Sequence, residues 1–141
     1  MTDVQAGMIF AAGFGTRMGD ATKTTPKPML SLGGRPMIDH AIDLMYDAGI
    51  PQIVANTHYL HDQIAPHLDR RSVTVVHEDP EILETGGGLR NALPALGNSP
   101  VVTANSDAVW LGRNPFSMLL EHWRDDMQAL LLLVPLSRAH S

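Results

Sequence analysis

The run Gly7-Met8-Ile9-Phe10-Ala11-Ala12-Gly13-Phe14-Gly15-Thr16-Arg17 changes character halfway along. Its first half is apolar and uncharged, which predicts a buried strand over 7–11. Its second half is small and glycine-containing and ends in a cation. Such a loop cannot pack a side-chain core, but its backbone N–H groups can come close to phosphate oxygens. The glycines at 13, 15 and 19 are spaced Gly-x-Gly-x-x-x-Gly. That is neither the Gly-x-Gly-x-x-Gly dinucleotide fingerprint nor the Gly-x-x-x-x-Gly-Lys-Ser/Thr loop of many ATPases, so both classes lose their main support.

Downstream, short apolar runs alternate with segments of helical period. Met37, Ile38, Ala41, Ile42, Leu44, Met45 and Ala48 recur at helical spacing, with Pro36 suited to a first turn and Gly49 to a stop, which predicts a helix over 36–48. Strands are expected over 52–56, 72–77, 100–104 and 129–134, with helices over 61–68, 87–96 and near 115–123. Alternation of this kind specifies an α/β fold: a three-layer, Rossmann-like, mostly parallel sheet with helices on both faces. Ligands of such sheets collect beyond the carboxyl ends of the strands. The loop 13–17, the pair Glu78 and Asp79, and Asp107 all fall at predicted strand ends.

Bulk properties narrow the function further. The chain has 141 residues, 44% hydrophobic and 18% charged, which suits one globular domain. A net charge of -5 with scattered Lys and Arg offers no basic stripe for a nucleic-acid backbone. There is no cysteine, hence no disulfide framework and no thiolate metal site. No apolar run approaches the roughly 20 residues that span a bilayer, and the first residues lack the basic-then-apolar pattern of a signal peptide. A cytoplasmic protein with neither nucleic-acid nor membrane partners is expected. His58 and His61 are three apart, but no third ligand is spaced to complete a zinc site.

Two cations stand near the glycine loop. Arg17 follows it directly, and Lys27 lies between Pro26 and Pro28, which restrict the backbone on both sides. Arg offers a planar fork for bidentate phosphate contact and Lys a compact charge, a combination suited to a triphosphate.

With these residues in view, a family resemblance emerges. The run 10–18, then Pro26-Lys27-Pro28-Met29 and Gly33-Gly34-Arg35-Pro36-Met37-Ile38, resembles the opening signature of sugar-1-phosphate nucleotidyltransferases. Leu83-Glu84-Thr85-Gly86-Gly87-Gly88 and Asn105-Ser106-Asp107 continue it in order and resemble most the N-acetylmuramate-1-phosphate uridylyltransferase branch. One departure is that Gly19, Asp20 and Ala21 follow Met18 where many relatives carry a proline.

The resemblance implies a fold of the nucleotide-diphospho-sugar transferase type, of which 1–141 is the N-terminal, nucleotide-binding part. It implies that Ala11, Ala12, Gly13, Gly15 and Thr16 line the nucleotide cleft, with Arg17 and Lys27 as the catalytic cations at the triphosphate. Thr85 and Gly86 would lie against base or ribose, with Glu84 and Asp79 beside them. Asn105 either holds a substrate hydroxyl or fixes the turn. Asp107 would bind a Mg²⁺ ion bridging the NTP, with UTP favoured, and a sugar 1-phosphate. Much of the acceptor pocket and a second metal carboxylate would lie beyond Ser141, with 135–140 opening the connection to them. The exposed sheet edge this leaves favours self-association or contact with that further part. Cytidylyltransferases of the isoprenoid or cofactor type share the glycine loop and Pro-Lys but reach the lysine sooner. A non-catalytic nucleotide-binding module is the other rival, and the retained Asp107 argues against it.

Overall fold

A computed structural model describes residues 4–139 of the chain. Along β1 (Ala6–Phe10) the side chains alternate between two faces, as a strand buried on both sides requires. Ala6 and Met8 pack with Ala92 and Leu96 of α3 (Glu84–Leu96). Ile9, and Ala11 just beyond the strand, pack on the other face with Ile38, Ala41, Ile42 and Met45 of α1 (Met37–Asp47). Ile64 and Leu68 of α2 (His61–Arg70) and Phe116 of α4 (Pro115–His122) join that second cluster. The result is three layers, with α3 on one face of the sheet and α1, α2 and α4 on the other.

Four strands make the sheet, in the order β5 (Thr74–His77), β4 (Gln52–Thr57), β1, β6 (Val101–Asn105), and every pairing is parallel. A two-stranded hairpin, β2 (Ser31–Leu32) with β3 (Arg35–Pro36), stands apart from it. Because β1 has β4 on one side and β6 on the other, the chain order reverses at β1. Such a reversal opens a crevice at the carboxyl ends of the strands. The register sets those ends level, with Phe10 opposite both Asn56 and Asn105. Among the described residues no helix is long and apolar enough to cross a membrane.

Two sequence expectations need correction. The segment 129–134 is not a fifth strand. Leu130 and Leu132 are half-buried while Leu131 and Leu133 are exposed, so a period of two survives. Gln128–Leu131 and Val101, Val102 and Thr103 of β6 line one cavity of about 320 Å³, and no ladder joins the two segments. Helix α3, expected from Gly87, begins at Glu84 and takes Thr85 and Gly86 into its first turn. Of the expected connection 135–140, residues Leu136–Arg138 form a short 3-10 turn, and His140 lies outside the described residues.

The hairpin is tied to the helices by charge. Asp43 on α1 accepts hydrogen bonds from Arg35 of β3 at 2.6 Å and from Arg71 just after α2. Burial raises the pKa of the Asp43 carboxyl, but the hydrogen bonds and charges of Arg35 and Arg71 outweigh it and hold the group below its ordinary 3.8. A depressed folded-state pKa gives stability that is fully present above the unfolded value and is lost as pH falls through the folded one. Denaturant midpoints should therefore fall below about pH 4, and Asp43→Asn should make that fall shallower. Since the side chain is 36% exposed, the difference should be about 1 kcal/mol or less. Equal acid slopes for the two proteins would exclude this role.

Candidate active site

The crevice beyond β1 and β6 is a cavity of about 410 Å³. The segment leaving β1 forms one wall through Ala11, Ala12, Gly13, Gly15, Thr16 and Arg17. Its start is anchored where the N–H of Ala11 donates to Asn56 Oδ1 at 2.9 Å. Gly15 then turns with φ 65°, a left-handed backbone that side chains disfavour. Beyond it, Thr16–Thr22 wind as 3-10 turns. The buried Thr22 hydroxyl donates to the Gly15 carbonyl at 2.8 Å, and the Tyr59 hydroxyl donates to the Thr22 carbonyl at 2.7 Å. Phe14 packs edge-on against His58 and tilted against Tyr59. Thr22 and Tyr59 thus hold the loop after Gly15.

A Cβ at Gly15 would stand 2.9 Å from Thr22 Cγ2 and 3.0 Å from Lys27 Cβ. Gly15→Ala should therefore lower stability by about 1–2 kcal/mol for the left-handed backbone alone, with the two contacts adding to it. A denaturation midpoint equal to wild type would show that this turn is not required.

Lys27 stands beside the glycine loop, its Cβ close to Gly15. It opens a 3-10 turn, Lys27–Met29, between an extended Pro26 and a buried Pro28, so its backbone is set before any ligand arrives. Its ammonium donates to Asp107 Oδ2 at 2.6 Å, joining the segment after the glycine loop to the end of β6. The two side chains are 28% and 40% exposed, so the pair opens onto the cleft and can exchange partners with an incoming ligand. Asn105 and Ser106 line the same end. Ser106 N donates to the Phe10 carbonyl at 3.2 Å and so keeps the β1 and β6 ends together.

The third side comes from the start of α3, with Glu84 and Thr85 lining the cavity. Glu84 has φ 60°, an uncommon conformation for a non-glycine residue. Two expected site residues do not line the cavity: Gly86 lies exposed in the first turn of α3, and Asp79 is exposed on the loop before it. The neighbour of Asp79, Glu78, is the buried one of the two, 1% exposed. Lining residues outside the quoted motifs are Asn56 and Ile82. A polar Asn closing the apolar run 53–55 was the available signal for Asn56. His58 and His61 diverge. His58 Nδ1 donates to the Glu78 carbonyl at 2.7 Å, and His61 bonds Thr57 and stacks on His77 with ring centroids 3.7 Å apart.

The donors suit a hard cation. Asp107 contributes a carboxylate, Asn105 and Ser106 neutral oxygens, and among the described residues no sulfur or imidazole lines the cleft. Among the described residues no three His, Cys, Asp or Glu side chains cluster. Mg²⁺ commonly takes one or two carboxylates and completes its shell with water and substrate phosphates, so one carboxylate here fits an ion that arrives with a nucleotide.

Comparison with known proteins is consistent with this architecture. Residues 7–140 match the MobA-like NTP transferase domain family. The N-acetylmuramate alpha-1-phosphate uridylyltransferase of Caulobacter vibrioides is 38% identical over 111 residues, covering 74% of this chain and 46% of that one. Its counterpart from Neisseria meningitidis serogroup B is 40% identical over 107 residues, covering 72% and 46%. The crystal structure of HddC from Yersinia pseudotuberculosis complexed with GMP-PN superposes with a TM-score of 0.64 at 29% identity, covering 73% of this chain and 48% of that one. The chain spans about half the length of the curated relatives it matches.

Proposed function

The chain belongs to the MobA-like NTP transferase domain family, and from that premise we propose that it is the nucleotide-binding part, 1–141, of a sugar-1-phosphate nucleotidyltransferase. Its substrates are UTP and a sugar 1-phosphate, with N-acetylmuramate 1-phosphate as the favoured acceptor, and it works in the cytoplasm. The observation that carries this reading is one cleft, at the reversal point of a parallel sheet, in which Arg17, Lys27 and Asp107 meet a glycine loop and the start of α3. The uridylyl choice rests on the two relatives named for that activity.

In the proposed reaction an oxygen of the sugar phosphate forms a bond to the α-phosphorus of the NTP. The bond from that phosphorus to the bridging oxygen breaks, and pyrophosphate leaves with the electron pair. No catalytic base is needed, because a phosphate monoester, with a second pKa of about 6, is largely dianionic at neutral pH. The protein's task is to bring anions together and offset the charge that develops on the leaving oxygens. Backbone N–H groups over 12–15 approach the phosphates, Arg17 grips them with a planar fork, and Lys27 adds a point charge. Mg²⁺, held by Asp107 with Asn105 nearby, would neutralise phosphate charge and orient the nucleotide. Glu84 and Thr85 face the nucleoside side of the same cleft.

Pyrophosphate release by the whole protein, of which this chain is the proposed nucleotide-binding part, tests the proposal with UTP, GTP, CTP and dTTP, each with a panel of sugar 1-phosphates; 1–141 alone is expected to turn over poorly or not at all. The proposal expects release with UTP and N-acetylmuramate 1-phosphate. Release with GTP would move the base assignment, and release with CTP and a non-sugar acceptor would favour the cytidylyltransferase reading. No release with any pair would refute the enzyme.

The free edge of β6 and the exposed Leu131 and Leu133 offer a surface for a second copy. Sedimentation should show a dimer that Leu131→Glu dissociates. Monomers at all concentrations would exclude it.

A further inference from the structure

Glu78 is a buried carboxylate for which the proposed chemistry has no use, and its surroundings indicate what it does. Both of its oxygens accept hydrogen bonds, Oε1 from Asn56 Nδ2 at 2.8 Å and Oε2 from the N–H of Leu83 at 2.9 Å. Asn56, 3% exposed, passes the connection on by accepting from the N–H of Ala11 through Oδ1. An unbroken chain of three hydrogen bonds thus runs from the first residue of the glycine loop, through Asn56 and Glu78, to the residue that precedes α3. The partners fix the polarity: the Ala11 and Leu83 ends are both donors, so one side chain must be an amide and the other must accept twice. Burying an ionised carboxylate is costly, and a neutral amide at 78 would point a donor at a donor.

Helix α3 docks directly on this pair. A Cβ at Gly88 would stand 2.7 Å from both Asn56 Nδ2 and Glu78 Oε1, so only glycine permits the approach. The start of α3, with Glu84 and Thr85, is therefore held at a set distance from the Ala11–Gly15 wall across the cleft.

We propose that Asn56 and Glu78 are positioning residues that fix the gap between the triphosphate-binding loop and the nucleoside side of the site. The inference rests on the nucleotidyltransferase reading. Its consequence is that the nucleotide binds a cleft already spaced for it, so a break in the hydrogen-bond chain weakens NTP binding even where the fold survives.

Exchange of the two side chains tests this. Glu78→Gln sets an amide donor against Asn56 or Leu83, and Asn56→Asp sets two carboxylates against each other. Combining the two rebuilds all three bonds, with only the 56–78 bond reversed in direction. The carboxylate now at position 56 would accept from Ala11 and from the amide now at position 78, whose oxygen would accept from Leu83. UTP affinity by calorimetry, KM and kcat, and Tm are read for all four proteins. Each single variant should weaken UTP binding about tenfold or more and raise KM more than it lowers kcat. The double variant should return to within about threefold of wild type. Single variants that lower Tm but bind UTP normally would overturn the proposal, because the pair would then serve the fold alone. So would a folded double variant that does not recover, because the carboxylate at 78 itself would then be needed. If either single variant fails to fold, UTP binding by the double variant decides: recovery supports the proposal and failure to recover overturns it. A wild-type protein that binds no nucleotide refutes the functional reading itself, whereas one that binds UTP with unaffected variants refutes only this inference.

Discussion

In the whole protein, Asp107→Ala should lower pyrophosphate release by about 10²–10³-fold with the fold intact. Three features of the site lead there. Asp107 follows the end of β6 at the level of the glycine loop, and its carboxylate lies on the same cleft as Arg17. Its partner inside the protein is Lys27 at 2.6 Å, a part-exposed pair whose loss costs stability about 0–1 kcal/mol. Its proposed task is to hold the cation that offsets charge in the transition state, and removal of one such group commonly costs about 10²–10³-fold or more in rate, roughly 3–4 kcal/mol. Tm should therefore barely move while turnover collapses. Binding of UTP without Mg²⁺ should persist, because Lys27 is then released to face the phosphates. Near-normal turnover of Asp107→Ala at saturating Mg²⁺ would remove Asp107 from the mechanism.

Lys27→Ala should act on the other half of the exchange. Lys27 pairs with Asp107 at 2.6 Å, and on the proposed reading its ammonium would turn to the phosphates when a nucleotide binds. A hydrogen bond to a charged group contributes about 1.5–3 kcal/mol, so loss of Lys27 should weaken UTP binding roughly 10- to 100-fold. The unpaired Asp107 then adds repulsion toward the triphosphate. Lys27→Arg should recover little, since a planar fork on a longer stem cannot occupy the point at which the prolines aim the ammonium. Stability should stay near wild type, because Pro26 and Pro28 still set the turn. Calorimetry of the three proteins against UTP checks this, and equal affinities would contradict the role of Lys27.

Much of this architecture was legible in the sequence because each signal was local. The apolar run at 7–11, the helical spacing of Met37 to Met45, and the β-branched runs at 53–54 and 73–76 declare their elements by burial period alone, and the structure follows them within a few residues. The cleft's composition was legible too, since residues of three distant motifs lie together once parallel strands level their carboxyl ends. What escaped depends on partners far along the chain. The alternation over 129–134 is strand-like, but a ladder needs a paired neighbour, and this segment does not pair with β6. Asp79 and Glu78 are equivalent in type, and which of them turns inward is decided by Asn56, contributed by another strand. The left-handed backbone of Glu84 left no trace in composition, because that conformation is ordinarily given to glycine. The early start of α3 at Glu84, ahead of three glycines, is likewise a tertiary matter: Leu83 just before it is held by the Glu78 carboxylate.

The central claim is that this cleft binds a nucleoside triphosphate, and titration of the protein with UTP, GTP, CTP and dTTP, with and without Mg²⁺, tests it most directly. The account predicts selective binding of UTP, tightened by Mg²⁺ and lost in Lys27→Ala. A folded protein that binds none of the four, or binds them all equally without regard to Mg²⁺ or Lys27, would contradict it.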